Sequence, residues 1–346
     1  MMWNVIAWLW LTGCTKEAPE AARGRIHQMP ASEMYQQTRD ALAEAGIERL
    51  VWGLTPFMSA KGVDEQYRPT ISIVSEQLGV PVEMRTGTDY QDVETMLLDG
   101  TVDIALMSPY AYVRAKAESP DIRVFATHIA KGTESYGAYI LTREDSPIRT
   151  LSELRGKSFG FVDPRSSSGW LFPISRMLDD DIDPIQGVKG RFYGSHQRVI
   201  RAIANGEVSA GATYDGALAD GRGRIPGANN LRVLARTERI PYDAYVLRAG
   251  FPQKAVLGIQ KALSTVSTRD ARGRNALAPL VDINGFIRAD DAHYRSVRLI
   301  EEKVQRLLEL PGGKLPEFVQ IPTVPESSKT HDNPTPINPQ STQIAD

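Results

Sequence analysis

From residue 49 to residue 247, short apolar runs alternate with helical patterns, and they do so in two consecutive series. Such alternation dictates open parallel sheets flanked by helices, because a parallel strand pair needs a connection long enough to hold a helix. In the first series strands are predicted over 49–54, 81–86 and 102–107, helices over 67–78, 90–98 and 110–117, and extended segments over 122–129 and 137–141. In the second, a helical turn at 151–154 precedes strands over 158–162, 190–193, 210–214 and 231–235, with helices over 169–178 and 196–205. An extended run within 240–247 leads back, and helices over 256–266 and 292–310 close the first unit. Crossings near 139–142 and 242–247 make the middle segment an inserted lobe on a two-strand hinge. Ligands of such a layout sit in the interlobe crevice, at strand carboxyl ends and helix N-termini.

Length agrees, since 346 residues exceed one compact core and suit two lobes plus a leader and a tail. The expected division is a signal peptide with lipobox over 1–14, a tether over 15–47, one lobe from 48–141 and 245–319, a second from 142–244, and a disordered tail over 320–346. The tail holds five prolines and too little apolar surface to offset ordering entropy. Within the tether span, 32–45 can form an amphipathic accessory helix.

The leader carries the chain's single cysteine, Cys14, after a short apolar run containing Trp3, Trp8 and Trp10. Leu11-Thr12-Gly13-Cys14 resembles a bacterial lipobox, although no Lys or Arg precedes the run. A stretch this short falls below the roughly 20 residues of a spanning helix but suits a signal-peptide core. The competing reading is a buried free cysteine, which the polar run after it disfavours. One cysteine also excludes a disulfide framework, and the five histidines show no close pair at metal-ligand spacing. No metal or other cofactor is expected. A formal net charge of −2 gives no global field for nucleic acid, which is not an expected partner.

The most informative segment is Asp163-Pro164-Arg165-Ser166-Ser167-Ser168-Gly169-Trp170, where a strand runs into a hydroxyl-rich loop that opens a helix. Free N–H groups at a helix start, the helix dipole and three hydroxyls can hold phosphoryl oxygens without Lys or Arg. An ordinary N-cap explains one serine well and three poorly. The spacing is not that of a P-loop.

Residues 163–169, with Pro173 beyond, resemble the Asp-Pro-x-Ser-Thr/Ser-Ser-Gly signature of the phosphate/phosphite/phosphonate-binding proteins of ABC transporters. Ser146-Pro147-Ile148, the run from Leu151 to Lys157, Asp89-Tyr90, and Val102-Asp103-Ile104-Ala105 with Ser108-Pro109-Tyr110-Ala111-Tyr112 are similar to further motifs of that family. So are Ser195-His196, the run from Ala202 to Ala212, and Ile240-Pro241 with Asp243. The resemblance implies a two-lobed type 2 periplasmic binding fold, with two open α/β lobes joined by a two-strand hinge. It implies a small phosphorus oxyanion as ligand, an ABC permease and ATPase as partners, and a periplasmic or cell-surface location with the membrane reached through the lipid anchor.

Carried over by position, the resemblance places Tyr90, Ser108 and Tyr110 on one side of the ligand and Ser166, Ser167, Ser168 and His196 on the other. Asp243 matches one carboxylate that reads the ammonium of an aminoalkyl phosphonate, while Gly216 stands where the second is found, with Asp215 beside it. Two other functions compete with transport: a binding protein that presents its closed form to a membrane receptor, and a hydrolase. The hydrolase is disfavoured because the serine cluster sits at a helix start suited to anion binding, whereas a nucleophile needs an adjacent base.

Overall fold

The computed structural model describes residues 29–280 and 282–308. Helix α1 (Ala31–Glu44) is followed by β1 (Leu50–Leu54), α2 (Ala60–Leu78), β2 (Val82–Thr86), α3 (Tyr90–Leu98), β3 (Ile104–Met107), α4 (Pro109–Glu118) and β4 (Arg123–Ala130). The second series comprises β5 (Ser135–Arg143), β6 (Ser158–Phe161), α5 (Phe172–Leu178), β7 (Lys189–Phe192), α6 (His196–Ala204), β8 (Ala210–Tyr214), α7 (Asp215–Arg224) and β9 (Leu231–Pro241). The chain returns through β10 (Ala244–Leu247), α8 (Val256–Thr265), α9 (Ala271–Leu277), β11 (Ile283–Arg288) and α10 (Arg295–Leu307).

Two sheets result, in the orders β11-β4-β10-β3-β1-β2 and β7-β6-β8-β5-β9. The strands joined by helices pair in parallel, β1 with β2 and β3, and β6 with β7 and β8. The expectation of parallel sheets needs correction, because β10, β11 and β5 all run antiparallel to their neighbours. The connections between sheets span only 131–134 and 242–243, too short for a helical crossover.

The first crossing lies earlier than 139–142. β5 is bound along its whole length inside the second sheet, from Ser135 opposite Pro241 to Arg143 opposite Leu231, so that sheet takes residues 135–141 as well. The return at 242–243 lies within the expected range. Residues 31–44, inside the span read as a tether, fold as a helix docked on the first lobe. There the Thr38 hydroxyl donates to the Ala255 carbonyl at 3.1 Å, and Gly258 lets the two helices close, since a Cβ there would lie 2.0 Å from Thr38 Oγ1. The leader with Cys14 and the tail expected over 320–346 lie outside the described residues.

α2 begins at Ala60 rather than 67. Ser59 caps it by accepting the Gly62 N–H at 3.2 Å, and Pro69 sits in its interior. α10 was expected to close the first lobe, yet it spans both. Val297, Ile300 and Val304 join the apolar cluster shared with α4 and α5, and Lys303 pairs with Asp179 beyond α5 at 2.7 Å.

Candidate functional site

The serine loop is set by what lies beneath it. Phe161 at the end of β6 packs edge-on against Trp170 at 4.8 Å, and Trp170 against Phe192 of β7 at 5.2 Å. These rings hold the turn after Ser166 against the sheet. Gly169 allows the approach: a Cβ there would lie 2.3 Å from Val162 Cβ, so the position admits no side chain without displacing the strand. Ser166 caps the turn, accepting the Gly169 N–H at 2.9 Å.

The turn itself, Ser167–Leu171, is one turn of π-helix, with the Leu171 N–H bonded to the Ser166 carbonyl at 3.1 Å, and it continues into α5. A wider turn displaces the leading hydroxyls and N–H groups from regular helical positions, a feature common at functional sites. Ser166, Ser167 and Ser168 are each at most 3% exposed, and all three line a cavity of about 260 Å³ between the lobes.

Opposite them the first lobe contributes Tyr90, the first residue of α3, whose start is fixed by Asp89 accepting the Asp92 N–H at 2.8 Å. His196 opens α6 after the Ser195 cap and faces the same cavity. Its Nδ1 lies 3.0 Å from the Thr213 hydroxyl, and burial pushes its pKa down to about 3, so the ring is a neutral hydrogen-bonding group. If Thr213 donates to Nδ1, the ring proton sits on Nε2.

Ser108 and Tyr110 also bond across the cleft. Ser108 lines the cavity, but its hydroxyl donates to the Arg165 carbonyl across the cleft at 2.6 Å and accepts the Ala111 N–H at 3.1 Å. Tyr110 does not reach the cavity wall. Its backbone N–H donates to Ser167 Oγ at 2.9 Å, and its ring packs under the Arg114 guanidinium, 5.9 Å from the ring centre. Residue 110 therefore joins the lobes through its backbone, because its position near the start of α4 turns the ring away from the cavity.

Both of the expected acidic residues line the cavity. Asp215, the first residue of α7, lines the cavity with its carboxylate held by the Gly216 N–H at 2.8 Å and the Gly137 N–H at 3.3 Å. Asp243, in the 242–243 connection, lines it too, and no group among the described residues hydrogen-bonds its carboxylate. Removal from water pushes that carboxyl up to about 7.

Among the wall residues that sequence reasoning missed are Tyr136, Tyr242 and His128. Tyr136 on β5 stacks on Tyr242 with ring centres 5.2 Å apart, and nothing in the sequence marks it out. His128 on β4 is 6% exposed, and its signal is a polar ring inside the apolar run 124–130. Among the described residues there is no group of three or more His, Cys, Asp or Glu placed to hold a metal ion.

Residues 52–294 match the family model described as ABC transporter, phosphonate, periplasmic substrate-binding protein. Among curated proteins, the phosphate-import protein PhnD of Mycolicibacterium smegmatis is 30% identical over 183 residues, 50% of this chain and 57% of that one. The phosphonates-binding periplasmic protein of Escherichia coli is 27% identical over 214 residues, 60% of this chain and 63% of that one. The chain thus spans less than two thirds of the length of either relative. Among solved structures, a binding protein component of an ABC phosphonate transporter from Pseudomonas aeruginosa superposes with a TM-score of 0.69 at 23% identity, covering 75% of this chain and 87% of that one. A Prochlorococcus marinus protein in complex with methylphosphonate gives 0.65 at 19%, covering 75% and 99%. At these identities the likeness establishes the fold, the two-lobed type 2 periplasmic binding architecture.

Proposed function

The chain belongs to the family of periplasmic phosphonate substrate-binding proteins of ABC transporters, and from that premise we propose that it captures a phosphonate-type phosphorus oxyanion between its lobes and delivers it to a membrane permease and its ATPase. The observation that carries this reading is the Ser166–Ser168 turn at the start of a helix, opening on an interlobe cavity opposite Tyr90 and beside a neutral His196. Leading N–H groups of a helix lack intrahelical partners and, with hydroxyls, form a donor set matched to phosphoryl oxygens.

Closure follows from the same residues. The bonds from Ser108 to Arg165 and from Tyr110 to Ser167 join the lobes, so rotation about 131–134 and 242–243 makes or breaks them as the cavity shuts or opens. Ser167 accepts from Tyr110 and keeps its own proton for the ligand. The protein acts by binding and release, without turnover.

The leader completes the proposal. Cys14 becomes the acylated first residue of the mature protein, which works in the periplasm or at the cell surface, held to the membrane by its lipid. Among the described residues no helix is long and apolar enough to cross a membrane.

A thermal-shift screen of phosphate, phosphite, methylphosphonate, 2-aminoethylphosphonate and sulfate tests the ligand class. A ligand at 100 times its dissociation constant stabilises by about 2.7 kcal/mol. A clear rise in Tm with a phosphorus oxyanion and none with sulfate is expected; no rise with any of the phosphorus compounds contradicts the reading.

A further inference from the structure

Away from the serine turn, one wall of the cavity is a row of rings. The Tyr136 hydroxyl neighbours Ser168, the Tyr136 ring stacks on Tyr242 at 5.2 Å, and Tyr242 lies against the His128 imidazole at 4.5 Å. Ordered this way, a ligand held at Ser168 by its phosphonate end directs its substituent along Tyr136 and Tyr242 toward His128. Asp243, next in sequence to Tyr242, borders the same compartment.

Two polar groups of that compartment are complementary. His128 lines the cavity, yet its Nδ1 is buried without a hydrogen-bond partner among the described residues. A buried N–H without an acceptor is among the rarest states of a polar group, so the ring proton belongs on Nε2. Burial keeps this imidazole neutral, with its pKa pushed down to about 3. His128 is thereby a donor, and the Asp243 carboxylate, which no described group hydrogen-bonds, is an acceptor.

We propose that His128 is a specificity-determining residue, donating from Nε2 to an oxygen on the ligand's substituent, so that the site selects phosphonates whose carbon chain carries a hydroxyl. This rests on the function proposed above. A hydroxyl both accepts and donates, and so can satisfy His128 and Asp243 together. An ammonium only donates and serves Asp243 alone, and an alkyl chain serves neither. Position 216 adds no second carboxylate, since it is a glycine, and Asp215 is already bonded to two backbone N–H groups.

The test is calorimetric titration of matched pairs, ethyl- against 2-hydroxyethylphosphonate and propyl- against 3-hydroxypropylphosphonate. Wild type is expected to bind one hydroxylated member about tenfold tighter than its alkyl partner, or ~1.4 kcal/mol. His128→Phe is expected to abolish the preference, read as equal affinities for the two members of each pair, with His128→Leu as a second variant lacking the donor. His128→Gln, which retains an N–H near the same place, is expected to keep part of it. Wild type that binds both members of each pair equally overturns the inference and leaves the proposed function standing, as does a preference that survives in the variants without the donor. Failure to bind any phosphonate removes both.

Discussion

Arg165 of the serine loop and Glu94 of α3 form an ion pair that crosses from one lobe to the other, with side chains 7% and 4% exposed. Burial pushes the Glu94 carboxyl above its usual range, against the opposing pull of Arg165 and Arg114. The Arg165 N–H is fixed by Asp163 at 2.8 Å, and its carbonyl takes the Ser108 hydroxyl, so one residue ties the serine loop to the first lobe by side chain and backbone.

Removing one partner of a buried pair costs about 3–5 kcal/mol, because the other charge stays desolvated. Opening the cleft relieves that cost. Arg165→Met is therefore expected to weaken ligand affinity and to raise the radius of gyration in solution scattering, and the double variant Glu94→Met with Arg165→Met is expected to recover much of the loss. Unchanged affinity and dimensions in Arg165→Met contradict an interlobe role.

The serines differ in what they support. Ser168→Ala removes a donor to a charged group, worth roughly 1.5–3 kcal/mol of binding, with little change in the Tm of the empty protein. Ser167→Ala also strips the Tyr110 N–H of its acceptor, so it is expected to lower both affinity and Tm. Calorimetry and melting of both variants check this, and equal, wild-type affinities contradict the cradle.

Asp243 gives a pH signature. Its carboxyl is pushed up to about 7 in the folded state against an ordinary value of 3.8, so the folded protein holds a proton that the unfolded chain releases. Its contribution to stability is fully present below about 4 and is lost as pH rises through 7. Asp243→Asn removes the loss, and its Tm is expected to exceed that of wild type at pH 8, with the gap narrowing toward pH 4. A gap independent of pH contradicts the assignment. With Asp215 bound to backbone, Asp243 alone has a carboxylate free to meet an ammonium: 2-aminoethylphosphonate is expected to bind only modestly better than methylphosphonate, and Asp243→Asn to narrow that difference.

Much of this was legible in the sequence. Residues 90–98 and 210–214 were placed as observed, because Asp89 caps the one and the short run Ala210-Gly211-Ala212 opens the other after the helix stop at Gly206. α7 was not foreseen, since Gly216, Gly221 and Gly223 within ten residues argue against a helix that packing nonetheless secures through Ala217 and Leu218. α9 and β11 carry no clear sequence signal either; β11 is broken by a register shift at Ile283 to Gly285, which hides its alternation. At the site, the serine turn and His196 were visible as a motif. The Arg165–Glu94 pair was not, because it joins residues 71 apart in sequence and exists only once the lobes meet.

The leader makes an independent claim. Cys14→Ser is expected to release the protein from membranes or leave the precursor uncleaved, read by fractionation and by mass spectrometry of the N-terminus. An unmodified Cys14 in the protein from its native host contradicts lipidation.

The central claim is that neutral donors at the start of one helix hold a phosphonate between the lobes. Titration of methylphosphonate into wild type and into a variant carrying both Ser167→Ala and Ser168→Ala tests it most directly. One-to-one binding by wild type, weakened at least a hundredfold in the double variant (~2.7 kcal/mol), is the expected result; saturable binding of equal strength in both proteins, or none by wild type, contradicts it.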